Sequence, residues 1–320
     1  MAIKTKIFKI LPFWLAAVIV VTALQLGVAL QLKGNNPISG ATEEAQPKVL
    51  GVSTQIRGEP EEVGDLLVEK ISEPNVEEVN AKSFLVFDLA GGQVLLAKNS
   101  KIRLGIASLT KLMTALVAYE HGDLNKSFIV EGKDTSNINP VLDLAAGDEV
   151  LALDIFNAML VGSSNDAALA LSNFVATSTG QNFVDLMNAE AKTLGMNSSH
   201  FSNALGFDSY YNYSTAEDLK ILISKTQKLA AFSNLGRRNS YEFLGKFRLR
   251  YFAPATNKLI QANSDMSAIK TGYTAGSLGA MATKLQVGNR DIVILVLGSK
   301  DREGDTLKLK DAISKSFKFQ

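Results

Sequence analysis

The fold class follows from residues 83–97, which read SFLVFDLAGGQVLLA. Two apolar runs of strand-like composition flank Gly91 and Gly92, and a glycine pair between two such runs predicts a β-hairpin. Helical periodicity begins after this hairpin, and strand-like runs return later in the chain. Strands, then helices, then strands again predict an α+β domain. In it, an antiparallel sheet is assembled from both ends of the chain and covered by helices, with a helical subdomain beside it.

The helical block contains several periodic runs, and its last helix begins with the capping-box pattern Ser214-Thr215-Ala216-Glu217. The predicted helices are 108–119, 153–160, 166–176, 183–194, one from 214, and a terminal helix over 305–317. The predicted strands after the helical block cover 241–252, 268–273, 278–287 and 292–297.

Composition excludes several functional classes. The 320 residues carry a formal net charge of +1, whereas proteins that bind nucleic-acid backbones usually have a strong basic excess, so no nucleic-acid partner is expected. The absence of cysteine excludes disulfides, thiolate metal sites and cysteine nucleophiles. The two histidines, His121 and His200, lie in no metal-binding motif, so neither a metal nor an organic cofactor is expected. A Ser-His-Asp triad would have only these two candidates, and we expect a base other than histidine.

An export segment is predicted at the N-terminus. The apolar stretch 10–32 follows three lysines, Lys4, Lys6 and Lys9. At about 1.5 Å per residue, it is long enough to cross a hydrocarbon core of about 30 Å. The lysines predict a cytoplasmic N-terminus, with the rest of the chain outside the membrane. We therefore expect residues 1–32 to form a transmembrane anchor. The alternative is a cleaved signal peptide, with a small-residue cleavage site at 27–29, which would release a secreted protein.

Residues 33–80 differ in composition from the remainder of the chain. Prolines interrupt this segment, and acidic residues far outnumber basic ones. Such a segment buries too little apolar surface to order itself. We expect a flexible acidic linker over 33–80 and a single folded domain over 81–320.

Ser108 and Lys111 are the first candidates for catalysis. They stand at positions i and i+3 of a predicted helix, so their side chains share a face. Burial lowers the pKa of an ammonium group, and a lysine without its proton can act as the base that activates serine. Unpaired N–H groups at the helix start are suited to hold an oxyanion. Ser267 and Lys270 repeat the spacing on a predicted strand, where the two side chains point to opposite faces and cannot act in this way.

A second motif, Ser163-Ser164-Asn165, falls between two predicted helices. A loop at this position presents Ser163 as a proton shuttle and Asn165 as an amide for the substrate backbone. Serine and asparagine also favour turns and helix caps, so this motif alone has an ordinary structural explanation.

The third motif, Lys270-Thr271-Gly272, lies on a predicted strand. Alternation places Lys270 and Gly272 on one side and Thr271 on the other, unless the strand twists or bulges there. A cation with a hydroxyl suits a terminal carboxylate, and the glycine permits close approach of a substrate backbone. The N–H of Tyr273 is the second expected oxyanion donor.

These three motifs, in this order, are typical of penicillin-binding proteins and class A β-lactamases. Over roughly residues 81–298 the sequence resembles the low-molecular-mass penicillin-binding proteins, the serine D-alanyl-D-alanine carboxypeptidase family. The resemblance extends to segments around the motifs, namely 107–114, 164–168, 187–188, 194–196, 201–203, 213–216, 256–259 and 269–274.

The resemblance implies a β-lactamase/DD-peptidase-like (transpeptidase-like) fold and a serine peptidase of the cell wall. It implies that Ser108 is acylated and that Lys111 is the base, while four residues hold and process the substrate: Ser163, Asn165, Lys270 and Thr271. It also implies a peptidoglycan stem peptide as the substrate and β-lactam antibiotics as inhibitors. Ala268 and the segment 275–277 depart from the pattern of many relatives, which affects the rim of the expected pocket.

Four functions are compatible with this pattern. A carboxypeptidase that removes the terminal D-alanine of stem peptides is the expected one, and an endopeptidase that cuts D-alanyl cross-links is its close variant. A β-lactamase ranks lower, because no Glu-x-x-Leu-Asn pattern follows Asn165 to supply a deacylation base. A catalytically silent wall-binding protein ranks lower because all the reactive residues are present.

Overall fold

The computed structural model describes residues 68–132 and 141–319. Its described strands, in chain order, are β1 (Val68–Lys70), β2 (Ser83–Asp88), β3 (Val94–Lys98), β4 (Ser127–Ile129), β5 (Glu149–Leu151), β6 (Ser240–Leu244), β7 (Arg250–Pro254), β8 (Met266–Thr274), β9 (Leu278–Val287), β10 (Arg290–Ser299) and β11 (Phe317–Phe319).

The described helices follow the same order. They are α1 (Thr110–His121), α2 (Ala152–Gly162), α3 (Asn165–Thr179), α4 (Phe183–Thr193), α5 (Ala216–Gln227), α6 (Ala230–Ser233), α7 (Leu259–Ala262) and α8 (Arg302–Ser316).

A five-stranded antiparallel sheet has the spatial order β3-β2-β10-β9-β8. Strands β2 and β3 form the predicted hairpin, and β2 also pairs with β10 from the other end of the chain. The predicted α+β class, with a sheet assembled from both chain ends, is therefore confirmed.

Both faces of this sheet are buried. Leu85 and Phe87 of β2 pack into a core shared with the helices α1 to α5. Phe84 and Val86 point the other way, into a second core to which Leu309 of α8 belongs. Because β2 is covered on both sides, its sequence is continuously apolar instead of alternating.

The fold brings three segments to one edge of the sheet. The turn before α1 packs against β8 and β9, and α1 packs against α2 and α3. The junction between α2 and α3 carries the second motif, and β8 carries the third.

Two local predictions were wrong in detail. The run 241–252 is a hairpin, β6 and β7, and not one strand. The chain reverses over residues 245–249, where Arg248 has a positive φ of 61°. The helix predicted from Ser214 is capped by Thr215, whose side chain accepts the N–H of Asp218. The pattern therefore identified the helix but placed its cap one residue early.

The folded domain includes residues that were predicted to belong to the linker. Strand β1 pairs with β11, and Val68 and Val79 are both buried in the second core. The predicted boundary at residue 80 therefore lies inside the ordered domain. The anchor predicted at 1–32 and the remainder of the linker lie outside the described residues. Within the described ranges, none of the helices has the length and apolar character needed to cross a membrane.

Candidate active site

Ser108 lies in a short 3₁₀ turn, Ala107–Leu109, that leads directly into α1. The predicted helix began at Ser108, whereas α1 begins at Thr110. Lys111 belongs to the first turn of α1, and its Nζ still lies 3.0 Å from Ser108 Oγ, so the two side chains meet as the spacing predicts.

Two glycines confine the turn that carries Ser108. A Cβ at Gly206 would lie 2.1 Å from the carbonyl oxygen of Ala107, and a Cβ at Gly272 would lie 2.6 Å from the amide nitrogen of Ser108. Gly206 also has a φ of +86°, which disfavours any larger residue. Ala107 itself has a φ of 47°, a strained conformation for a residue with a side chain. This turn, the candidate nucleophile turn, is thus held from two sides by backbone.

Lys111 is fully buried and links the first two motifs. Its Nζ donates to Ser108 Oγ at 3.0 Å, to Asn165 Oδ1 at 2.9 Å and to the carbonyl oxygen of Leu205 at 2.6 Å. Burial lowers the pKa of Lys111 from 10.5 to about 7, and the nearby carboxylate of Asp166 opposes part of that effect. Near neutral pH, a large fraction of Lys111 is therefore uncharged and able to accept a proton.

The second motif is held by the junction of two helices. Ser163 ends α2 in a left-handed conformation (φ 59°, ψ 29°), and the Ser164 side chain caps α3 by accepting the N–H of Ala167 at 3.2 Å. Asn165 opens α3 and faces Lys111. Ser163 is half-buried. In the described part of the chain, its hydroxyl makes no hydrogen bond with Ser108, Lys111 or Lys270.

Asp166 stabilises this junction through hydrogen bonds. It was not among the predicted site residues. Its buried carboxylate accepts the N–H groups of Val141 and Leu144, each at 3.2 Å, and the hydroxyl of Ser164. A fully buried carboxylate requires such donors. Asp166 therefore fixes the loop that places Asn165 against Lys111.

The third motif occupies a strand with a bulge just before it. The register of β8 against β9 shifts between Ala268 and Lys270, which leaves Ile269 as the extra residue. Lys270 and Thr271 are both buried, so simple alternation does not describe this stretch. The strand does contain both Ser267 and Lys270, as predicted for the second Ser-x-x-Lys match.

Lys270 lies in a buried environment that strongly disfavours its charged form. Burial holds the pKa of Lys270 well below its usual value, and the positive charges of Lys111 and Arg302 lower it further. Its Nζ donates to the carbonyl oxygen of Thr271 at 2.9 Å. The Thr271 hydroxyl lies 2.5 Å from that of Thr256. An arriving carboxylate would favour the charged form of this lysine.

The edge of β8 passes directly beside Ser108. Gly272 packs against the Ser108 amide, and its carbonyl oxygen accepts a hydrogen bond from Arg302 Nη1 at 2.7 Å. The next residue, Tyr273, has a side chain that is 67% exposed. Arg302 was not predicted, because it lies at the start of α8, far from the third motif in sequence.

The structure thus brings Ser108, Lys111 and Asn165 into direct contact and places Lys270 and Gly272 beside them. The described residues also contain one group of potential metal ligands, Glu120, His121 and Glu190, whose ligand atoms lie within 4.8 Å of one another. It includes the last turn of α1, the opposite end of that helix from Ser108. No predicted site residue belongs to it.

Comparison with known proteins connects this geometry to a family. The sequence profile of Peptidase_S11, described as D-alanyl-D-alanine carboxypeptidase, matches residues 68–301.

Two curated relatives cover most of the chain. D-alanyl-D-alanine carboxypeptidase DacC of Escherichia coli is 32% identical over 238 residues, which are 69% of this chain and 57% of the relative. D-alanyl-D-alanine carboxypeptidase DacF of Bacillus subtilis is 28% identical over 239 residues, which are 72% of this chain and 61% of the relative. The match therefore spans about three-fifths of the length of each curated relative.

A solved structure shows the same fold. The D-alanyl-D-alanine carboxypeptidase of Mycobacterium tuberculosis superimposes with a TM-score of 0.68 at 26% identity, covering 79% of this chain and 99% of that one.

Proposed function

The chain belongs to the D-alanyl-D-alanine carboxypeptidase family, Peptidase_S11, and we propose that it removes the terminal D-alanine from peptidoglycan stem peptides through an acyl-enzyme on Ser108. The observation that carries this proposal is the 3.0 Å hydrogen bond between Lys111 Nζ and Ser108 Oγ, made by a buried lysine whose pKa is lowered to about 7. A nucleophile paired with a base of matched pKa is the arrangement that acyl transfer requires.

Acylation begins with Lys111 in its neutral form. Lys111 takes the hydroxyl proton as Ser108 Oγ attacks the carbonyl carbon of the penultimate D-alanine. The oxyanion of the tetrahedral intermediate accepts hydrogen bonds from the N–H groups of Ser108 and Tyr273. Loss of one such donor typically costs about 2.7–4 kcal/mol of transition-state stabilisation. The close packing of Gly272 on the Ser108 amide supports this assignment.

The terminal carboxylate of the substrate binds at the third motif. Lys270 supplies a cation when that carboxylate arrives, and Thr271 supplies a hydroxyl donor. Asn165 donates its amide N–H₂ to the substrate backbone, since its oxygen already accepts from Lys111.

The intermediate collapses when the C–N bond to the terminal D-alanine breaks. Ser163 relays the proton that Lys111 took from Ser108 to the leaving amine, which departs as free D-alanine and leaves Lys111 neutral again. A water molecule then attacks the ester carbonyl of the acyl-enzyme, with its proton passing to Lys111, and the shortened peptide leaves. Ser108 regains its proton in that last step.

The proposal is tested by D-alanine release. The chain from residue 33 onward is incubated with a stem pentapeptide ending in D-Ala-D-Ala, with Ser108→Ala as the control. Release by the wild type and not by the control is expected. No release by a folded wild type contradicts the carboxypeptidase assignment. Cleavage of cross-linked muropeptides by that same protein would replace it with the endopeptidase.

The remaining proposals concern partners and location. β-Lactams acylate Ser108, and the catalytic domain acts outside the cytoplasmic membrane, attached through the apolar stretch 10–32. The length of that stretch and the lysines before it support the attachment. Alkaline extraction of membranes from expressing cells is expected to leave the full chain in the pellet. Release of a shortened chain into the supernatant would support a cleaved signal peptide instead.

A further inference from the structure

Asp208 connects two loops that meet at the mouth of the site. Its carboxylate accepts the hydroxyl of Thr274 at 2.5 Å, the N–H of Gly276 at 2.9 Å and the hydroxyl of Ser277 at 3.1 Å. These donors lie at the end of β8 and in the turn that leads to β9, whereas Asp208 belongs to the loop after Phe201. The carboxylate is thus the link between the two loops.

The loop that carries Asp208 also touches the catalytic residues. Its Leu205 carbonyl oxygen accepts the 2.6 Å hydrogen bond from Lys111, and its Gly206 packs on the nucleophile turn. The Asn203 side chain accepts the N–H groups of Leu205, Gly206 and Phe207 at 3.2, 2.7 and 3.0 Å. Because these bonds brace the loop between Leu205 and Phe207, we expect a displacement of Asp208 to shift the carbonyl group that binds Lys111.

The turn between β8 and β9, which binds Asp208, also lies close to the candidate catalytic residues. It continues directly from Gly272 and Tyr273 of the third motif. Its Ser277 packs so tightly on Gly105 that a Cβ there would lie 2.4 Å from the Ser277 hydroxyl oxygen. The turn therefore contacts the chain just before Ser108 and is continuous with the strand edge that carries Tyr273.

We propose that Asp208 is a positioning residue that sets the distance between the loop bonded to Lys111 and the strand edge that holds the oxyanion. This inference rests on the proposed acyl-transfer function. The carboxylate touches neither Ser108 nor Lys111, so it acts through the two loops and not on the reacting atoms.

The hydrogen-bond donors around Asp208 explain why a carboxylate is found at this position. The partners named above are neutral donors, and an ionised carboxylate is an acceptor at both oxygens. Burial raises the pKa of Asp208, but the hydrogen bonds from Thr274, Gly276 and Ser277 together outweigh this effect and hold the pKa below its usual value. An asparagine would turn an N–H₂ group toward these donors and lose at least one of the bonds. Asp208→Asn is therefore a minimal change in size that breaks the link.

The test compares acylation by a β-lactam in the wild type and Asp208→Asn, measured by stopped flow so that the acylation rate constant is separated from the dissociation constant. We expect the rate constant to fall roughly 10- to 100-fold with little change in the dissociation constant, as for groups that position others in the transition state. The pH profile should keep its shape, because Lys111 still sets it. Asp123→Asn is the matched control, since Asp123 accepts one local N–H and pairs with the exposed Lys126 at 3.9 Å, both beyond the far end of α1.

A second variant separates positioning from loss of fold. Thr274→Val removes the hydroxyl bonded to Asp208, and the loss in the double variant should be smaller than the sum of the two single losses, because both changes weaken the same link. An unchanged rate constant in Asp208→Asn overturns the inference. The inference is also overturned if the thermal unfolding midpoint falls in proportion to the rate constant. Additive losses in the double variant would overturn it as well. A wild type that is not acylated at all contradicts the proposed function instead.

Discussion

At the scale of single residues, Lys111 is fully buried and makes three hydrogen bonds. Its proposed role as the base requires the uncharged form. Its pKa of about 7 predicts the pH dependence of acylation. Below this pKa the lysine is protonated and cannot accept the serine proton, so the rate constant should rise about tenfold per pH unit up to about pH 7 and then level off. Labelling with a fluorescent penicillin from pH 5 to 9 measures this; a flat profile would exclude Lys111 as the base.

The same burial predicts that Lys111 reduces stability. Because its folded-state pKa is lowered, the unfolded chain binds more protons between about pH 7 and 10.5, and the free energy of unfolding rises with pH through that window. Lys111→Met removes the buried ammonium. Its free energy of unfolding at pH 6 should exceed that of the wild type by on the order of 1–4 kcal/mol, while acylation falls roughly 10²- to 10⁴-fold.

Urea unfolding at pH 6 and pH 10, together with penicillin labelling, measures both effects. The gain in stability should shrink at pH 10, since Lys111 is then neutral in the folded wild type. A variant that is less stable at pH 6, or one that still acylates at the wild-type rate, would contradict this role of the lysine.

Sequence motifs located some of the site residues and missed others for a physical reason. Ser108 and Lys111 were predictable because a helical spacing of three places them together. Arg302 reaches Gly272 across 30 residues of chain, and the partner of Lys111 on the loop at Leu205 is a backbone carbonyl. A carbonyl carries no residue signature, and a contact across the fold leaves no local spacing. Both therefore required the structure.

At the scale of elements, the loop that carries Gly206 is expected to be essential for activity, so substitution of this glycine should selectively reduce acylation. Gly206→Ala places a Cβ 2.1 Å from the Ala107 carbonyl oxygen, so the nucleophile turn must move. Gly195→Ala is the matched control, because Gly195 has a similar φ of +79° but no atom within 4 Å of its Cβ position. Both variants should lose about 1–2 kcal/mol of stability from backbone strain.

Only Gly206→Ala is expected to lose acylation as well, by at least about tenfold. Thermal unfolding and penicillin labelling of the two variants, side by side, measure the difference. Equal acylation in both would mean that the loop does not hold the nucleophile turn.

Element types were predictable where the pattern was long, and element ends were not. The continuous apolar run of β2 and the periodic runs of the helical block identified strands and helices. The turn at Arg248 and the cap at Thr215 depend on a backbone angle and on which of two adjacent hydroxyls faces an N–H. Neither is determined by residue type alone.

At the scale of the whole molecule, residues 68–80 are part of the domain although their composition is that of a linker. Val68 and Val79 are buried, and β1 pairs with β11 near the C-terminus. These are long-range contacts made by a polar segment with few apolar residues, so composition alone assigned it to the linker. The central sheet was predictable because strands such as β2 and β10 contain continuous apolar runs.

A chain that begins at Ala81 should therefore be less stable than one that begins at Glu62. Loss of two buried valines and of the β1–β11 pair should lower the thermal unfolding midpoint by about 10 °C, from about 1.5–3 kcal/mol for each buried side chain. Differential scanning calorimetry of the two chains measures this. Equal midpoints would place the domain boundary at residue 81 after all.

The central claim is that Ser108 is the acylated nucleophile. Intact-mass spectrometry of the protein after treatment with penicillin, followed by peptide mapping, tests it most directly. We predict a single adduct on the peptide that carries Ser108, and no adduct on the folded Ser108→Ala variant. An adduct on another residue, or none on a folded wild type, would contradict the claim.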